Sequence, residues 1–288
     1  MSKKSTSFDM FRYQILPVNR YMQTDMFHDG VNSIDELIAK KNSFFSKALK
    51  ETSDFSNNKY KILAQALYND EKEKFRLLKI AVERPLNVET KDFKDGTVEN
   101  WPSILIAVWN LPDKQLVAVQ RKTSAFSSTK PAIRILSEAL EKTLKPYHLR
   151  AIFEPMFEKR EFWSLIRKHQ GKIKSVEFEL ITPNMANISS SLSDDLKNLA
   201  KQANSTKNKL SLESDDSSAL CLNENNPTVQ GLVEYSSNGG GGISLKVRGI
   251  KKKINTKDSV KAFEIDELEI QGPAKKTADI IKDIMKNI

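Results

Sequence analysis

The chain has a single cysteine, Cys221, among 288 residues. That scarcity excludes an intrachain disulfide and any zinc site built on several thiolates. Cys221 sits in the apolar run ALCL, which predicts a buried, inert thiol. Histidine is nearly as scarce: His28, His148 and His169 stand far apart. None has the i, i+4 partner that would set two imidazoles on one helix face for a metal. No GxSxG elbow surrounds a serine. No run approaches the roughly 20 apolar residues of a membrane span, and the opening MSKKSTS leads into mixed sequence rather than a signal-peptide core. These gaps point to a cytoplasmic chain with no metal site, no cofactor and no evident catalytic constellation.

What is present is ordinary in amount and uneven in charge. Hydrophobic residues at 39% and charged residues at 29% match globular averages, so most of the chain is expected to fold. At about 150 residues per domain the length predicts two lobes, drawn at 1–147 and 148–288. Lysine and arginine outnumber aspartate and glutamate by 46 to 37, and the formal charge of +9 favours an acidic partner such as nucleic acid or an anionic membrane. A plain solvated lysine-rich surface explains the same balance.

The chain is organised around residues 101–121. Ser103–Trp109 and Leu116–Val119 are nearly continuous apolar runs, the pattern of strands buried on both faces. They form a central hairpin, with a five-residue loop from Asn110 to Lys114 favoured over a two-residue turn because of Pro112 and Asp113. Before it, residues 1–7 read as disordered. Phe8–Val18 reads as a strand with Phe11, Tyr13 and Ile15 on one face and Arg12 and Gln14 on the other. A long loop, with His28 at its turn, leads to a helix that Ser33 and Glu36 begin as a capping box. Residues 60–68 read as strand or helix and Phe75–Val82 as strand, while 84–100 make a polar surface connection. After the hairpin comes a helix from Thr129 to Lys145 with Ile133, Leu136, Leu140 and Leu144 as its apolar stripe.

The second half alternates element types. Strands are expected at 148–157, 173–182, 207–213, 219–222, 243–250 and 261–271, and helices at 158–169, 191–203, 227–235 and from Pro273. The fold class is therefore α+β, with mixed or antiparallel sheets built from hairpins and covered by helices.

Four consecutive glycines, Gly239–Gly242, are the most conspicuous local feature. A dinucleotide fingerprint or P-loop places a strand before its glycines and a helix after them, and here that order is reversed. This leaves a flexible loop or a backbone contact to nucleic-acid phosphate. Next to it stand Lys246, Arg248, Lys251, Lys252 and Lys253, with Lys257 and Lys261 shortly after. Lys246 and Arg248 are two apart on a strand and share a face, as do Lys172 and Lys174 on theirs. Arg121 and Lys122 form a basic exit from the central hairpin. Such stripes attract a phosphate backbone through charge and counterion release without base-specific side chains. Glu264, Asp266, Glu267 and Glu269 crowd one strand, but regular alternation splits them between two faces. A metal-dependent nuclease therefore stands as an alternative, and a protein-interaction scaffold as a further one.

The order WPSILIAVW, a turn, QLVAVQRKTSAF, a helix and then HLRAIFEPMF resembles the phage-defence proteins of the Rex exclusion protein A and Kiwa KwaB type. The likeness rests on Trp101-Pro102-Ser103 at the head of the hairpin and on Glu154-Pro155 after the next strand, and covers residues 60–182. It implies a two-lobed, non-catalytic, homodimeric protein that binds double-stranded DNA, senses phage infection and acts with a membrane-protein or other defence-system partner. It carries no catalytic motif and no DNA contact residue by residue.

Overall fold

The computed structural model describes residues 4–19, 31–55, 59–182 and 185–288. In chain order the elements are β1 (Ser5–Pro17), α1 (Ile34–Glu51), β2 (Ile62–Asp70), β3 (Phe75–Val82), β4 (Leu86–Glu89), β5 (Asp95–Val98), β6 (Ser103–Leu111), β7 (Lys114–Gln120) and α2 (Thr129–Leu144). There follow β8 (Leu149–Pro155), α3 (Lys159–Lys168), β9 (Ile173–Ile181), α4 (Ala186–Ser189), α5 (Asp194–Gln202), β10 (Lys207–Glu213), α6 (Pro227–Tyr235), β11 (Gly241–Val247), β12 (Ile254–Asn255), β13 (Ala262–Asp266) and α7 (Ala274–Lys286). The fold is α+β with antiparallel sheets. Among the described residues no helix is long and apolar enough to cross a membrane.

The chain forms two compact units whose segments are interleaved. One comprises Met1–Asp9, Asn42–Arg150 and Ala262–Ile288, the other Met10–Lys41 and Ala151–Lys261. The sequence suggests a single division after residue 147. The observed partition changes unit at Arg150–Ala151 but also exchanges two further segments, because β13 pairs with the first residues of β1 rather than with its neighbours in sequence.

The first unit is built on a sheet of order β13-β1-β7-β6-β3-β2. Ile104–Trp109 and Leu116–Val119 are buried without interruption, as continuous apolar runs require. The hairpin loop is shorter than expected: Leu111 pairs with Lys114, leaving only Pro112 and Asp113 in the turn. Asn110 accounts for the difference. Its side chain is buried, donates to the Asn42 carbonyl and Ser46 Oγ and accepts from Asn42 Nδ2 at 2.7 Å, and these bonds hold it in the ladder. Residues 62–70 are a strand, paired from Ile62 with Val82 to Asp70 with Phe75. The expected surface connection contains a small exposed hairpin, β4–β5. Ser5–Ser7, expected to be disordered, pair with Glu264–Asp266 and extend β1 toward the N-terminus. Residues 1–3 lie outside the described residues. Helix α2 buries Ile133, Leu136, Leu140 and Leu144 as its stripe predicts.

The second unit holds a four-stranded sheet of order β10-β9-β11-β12, whereas β8 pairs with β1 as the seventh strand of the larger sheet. Its core joins Phe162, Trp163, Phe178, Tyr235, Ile243 and Leu245. Half of the expected capping box at the start of α1 is present: Ser33 Oγ accepts from the Glu36 amide at 3.2 Å, while the Glu36 carboxylate accepts from the Asn32 amide at 2.7 Å rather than from that of Ser33. Arg12 and Gln14 are buried along with Phe11 and Tyr13, so β1 is covered on both faces. Residues 219–222 form no strand. Leu220 and Leu222 pack against the core and Cys221 between them is exposed, so the thiol expected inside meets solvent. The long loop around His28 lies outside the described residues over 20–30.

Candidate nucleic-acid interface

The glycine run is buried and its last two residues open β11, where the sequence suggests a free loop. Gly239, Gly240, Gly241 and Gly242 are all buried. A Cβ on Gly239 would overlap Arg12 Cβ, on Gly240 the Tyr235 ring, on Gly241 the Glu179 carbonyl oxygen, and on Gly242 the Lys257 stem. Gly239 and Gly241 also adopt φ of +80° and +147°, where a side chain is strained. The turn is pinned from outside. Arg12 Nε donates to the Asn238 carbonyl at 2.6 Å, and Asn226 caps α6 by accepting from the amides of Thr228 and Val229. Tyr235 Oη donates to the Ile181 carbonyl at 2.8 Å and accepts from Gln14 at 3.2 Å, and burial pushes its phenol well above the usual value.

The space left by Gly242 admits Lys257, which the sequence places in a basic cluster. Its ammonium lies 2.8 Å from Glu154 and 2.6 Å from Glu179, and Lys207 adds a second cation at 2.9 Å from Glu179. Burial alone would raise the Glu179 carboxyl; the hydrogen bonds and charges of the two lysines outweigh it and hold it at about 2. Burial likewise pulls Lys257 down, and the two carboxylates reverse that and raise it. Lys257 is a structural cation. Lys261 is also engaged, 3.4 Å from Glu158.

The other basic residues fall into two sets. Lys246 pairs in register with Ser175, and the Arg248 amide donates to the Lys172 carbonyl at 2.8 Å, so β11 lays its cations alongside those of β9. Lys174 Nζ donates to the carbonyls of Asp215, Asp216 and Ser218 at 2.8, 2.7 and 2.7 Å. Arg248 Nη2 reaches the last two at 3.1 and 3.2 Å. These two side chains clamp the turn after β10. Lys172, Lys246, Lys251, Lys252 and Lys253 are exposed, and among the described residues no ion pair or side-chain hydrogen bond engages them. The last three follow Gly249, whose φ of +82° ends β11 and turns the chain toward β12.

Arg121 and Lys122 belong to the first unit. Arg121 lies 2.5 Å from the buried Asp9 carboxylate, which also accepts from Thr129 Oγ1 at 2.7 Å. Lys122 is exposed. The crowded acids sit on and after the edge strand β13, where Glu264 accepts from Ser5 Oγ and Glu267 pairs with Lys4. Among the described residues no three His, Cys, Asp or Glu side chains gather as metal ligands. The Glu154–Lys257–Glu179 network was missed in sequence, since its members lie in three separate elements and only Gly242 hinted at the space required. In comparison with known proteins, no family model, no curated protein and no solved structure matches this chain.

Proposed function

We propose that the protein binds double-stranded DNA, chiefly through phosphate contacts made by Lys172, Lys246, Lys251, Lys252 and Lys253, and acts without catalysis in phage defence or exclusion. The observation that carries the binding is the division of labour among cations. Lys174, Arg248 and Lys257 are consumed in holding the scaffold, whereas these five are exposed and, among the described residues, carry no competing carboxylate partner. A lysine with no internal partner keeps its full charge for a phosphate, and its counterion is released on contact. The defence setting rests on the sequence likeness over residues 60–182.

The test is fluorescence anisotropy on mixed-sequence duplex DNA across a salt series, with and without Mg²⁺, comparing wild type with the five lysines changed to Glu. If all five neutralise a phosphate, log K falls against log salt with a slope of about −4.5. Binding is lost in the variant, and the DNA is recovered intact. No binding by wild type at low salt, or equal binding by the variant, overturns the reading. Mg²⁺-dependent cleavage transfers the protein to the nuclease class.

A further inference from the structure

A second candidate site lies wholly in the first unit, independent of the DNA surface. A cavity of about 440 Å³ opens between the sheet and the segment leading into α7, a size within the range of small-molecule sites. Its apolar lining comes from Leu67, Leu77, Leu105 and Ile270. Its cations are Lys79 on β3 and Lys122 after β7, both exposed and, among the described residues, without an ion pair. The one carboxylate in the lining, Glu267, is already paired with Lys4 at 3.3 Å.

The wall formed by α7 points to an anion. The helix starts at Pro273 with no side-chain cap, so the amides of Ala274, Lys275 and Lys276 have no intrahelical acceptor. Its first turn carries no acid and two lysines, the reverse of what the helix dipole favours unless a negative charge arrives from elsewhere. Thr277 supplies an independent sign. It is 2% exposed, lines the cavity, and among the described residues its hydroxyl has no hydrogen-bond partner. A buried hydroxyl left unmade is costly, and a ligand oxygen would satisfy it.

We propose that this cavity binds a small phosphate-bearing molecule of the size of a nucleoside monophosphate. Lys79, Lys122 and the α7 amides hold the phosphate, Thr277 donates to one of its oxygens, and the leucines receive the body. Phosphate suits this set better than a planar carboxylate because the donors come from β3, the β7 exit and α7, and a tetrahedral group presents oxygens in several directions.

The test is isothermal titration calorimetry on the full chain with AMP and with inorganic phosphate as probes. AMP is expected to bind at least about tenfold more tightly than phosphate, a difference of about 1.4 kcal/mol. Changing Lys79→Ala and Lys122→Ala together should weaken AMP by at least about tenfold. Thr277→Val, which keeps shape and burial, should weaken it severalfold without lowering the unfolding midpoint. The five-lysine variant of the DNA surface should bind AMP as wild type does, so the two proposals fail separately. No heat with AMP at about 10 mM, or undiminished binding by the double-lysine variant, overturns the site. Equal affinity for phosphate and AMP overturns the assignment of a body beyond the phosphate.

Discussion

The strands of the β6–β7 hairpin and the turn from Tyr235 into β11 are both largely buried and are ordered by opposite means. In the hairpin, large side chains fill space: Trp109 is 2% exposed, stands edge-on to Phe75 at 6.1 Å between ring centroids, and donates to the Glu73 carbonyl at 3.0 Å. In the turn, order comes from side chains that are absent, so that Arg12, Tyr235, Glu179 and Lys257 each occupy what a Cβ would take. The first mode specifies a strand through what it adds to the core, the second through what it lets approach.

The difference can be broken experimentally. The largest effect is expected for Gly241→Ala, where the new Cβ meets backbone at Glu179 and the φ of +147° adds strain, and neither can relax. Chemical denaturation followed by circular dichroism should show a loss of more than about 4 kcal/mol, or no folded second unit. Next comes Trp109→Ala, at about 3–5 kcal/mol by the same measurement, the usual range for emptying a core aromatic site.

Lys257→Met keeps the stem and removes the charge, leaving Glu154 and Glu179 facing one another. The expected cost is about 2–3 kcal/mol, below the range for fully buried pairs because 26% of the lysine side chain meets water. The pH profile sharpens this. Glu179 is depressed in the folded state to about 2, so its contribution is complete above its ordinary value near 4.5 and drains away as pH falls from there toward 2. Urea unfolding of wild type across pH 5 to 2 should show that slope, and Lys257→Met should flatten it. Gly242→Ala is milder, at about 1–2 kcal/mol, because its Cβ meets only the flexible stem of Lys257, which can shift. The smallest change is Lys246→Glu, exposed and without an ion pair among the described residues, which should alter the unfolding free energy by less than about 0.5 kcal/mol while weakening DNA binding in the anisotropy assay.

Legibility in the sequence follows the same division. The central strands, the α2 stripe, α6 and β9 with Val176, Phe178 and Leu180 inward could be read because their periodicity is local. The two-residue turn at Pro112–Asp113 could not, since it depends on Asn110 meeting Asn42 and Ser46, distant in sequence. Cys221 is exposed despite its neighbours because an apolar neighbourhood does not say which of its side chains turn inward. For the candidate interface, charge identified the lysines, but only tertiary partners separate Lys246 and Lys251–Lys253 from Lys174, Arg248 and Lys257. The cavity carried no sequence signal, as Lys79 and Thr277 stand in ordinary patterns on β3 and α7.

The interleaving of the two units bears on how the chain is made. Every residue of the second unit precedes Ala262, so that unit is fully synthesised while the first still lacks β13 and α7. Until those last elements arrive, the sheet of the first unit has an unpaired edge along Ser5–Asp9 of β1 and an uncovered face where α7 will lie, which are the surfaces most exposed to mispairing during translation. For the same reason, cutting the gene after codon 147 would yield neither unit: one fragment would lack the closing helix, and the other would lack the segment that brings Arg12 to the glycine turn.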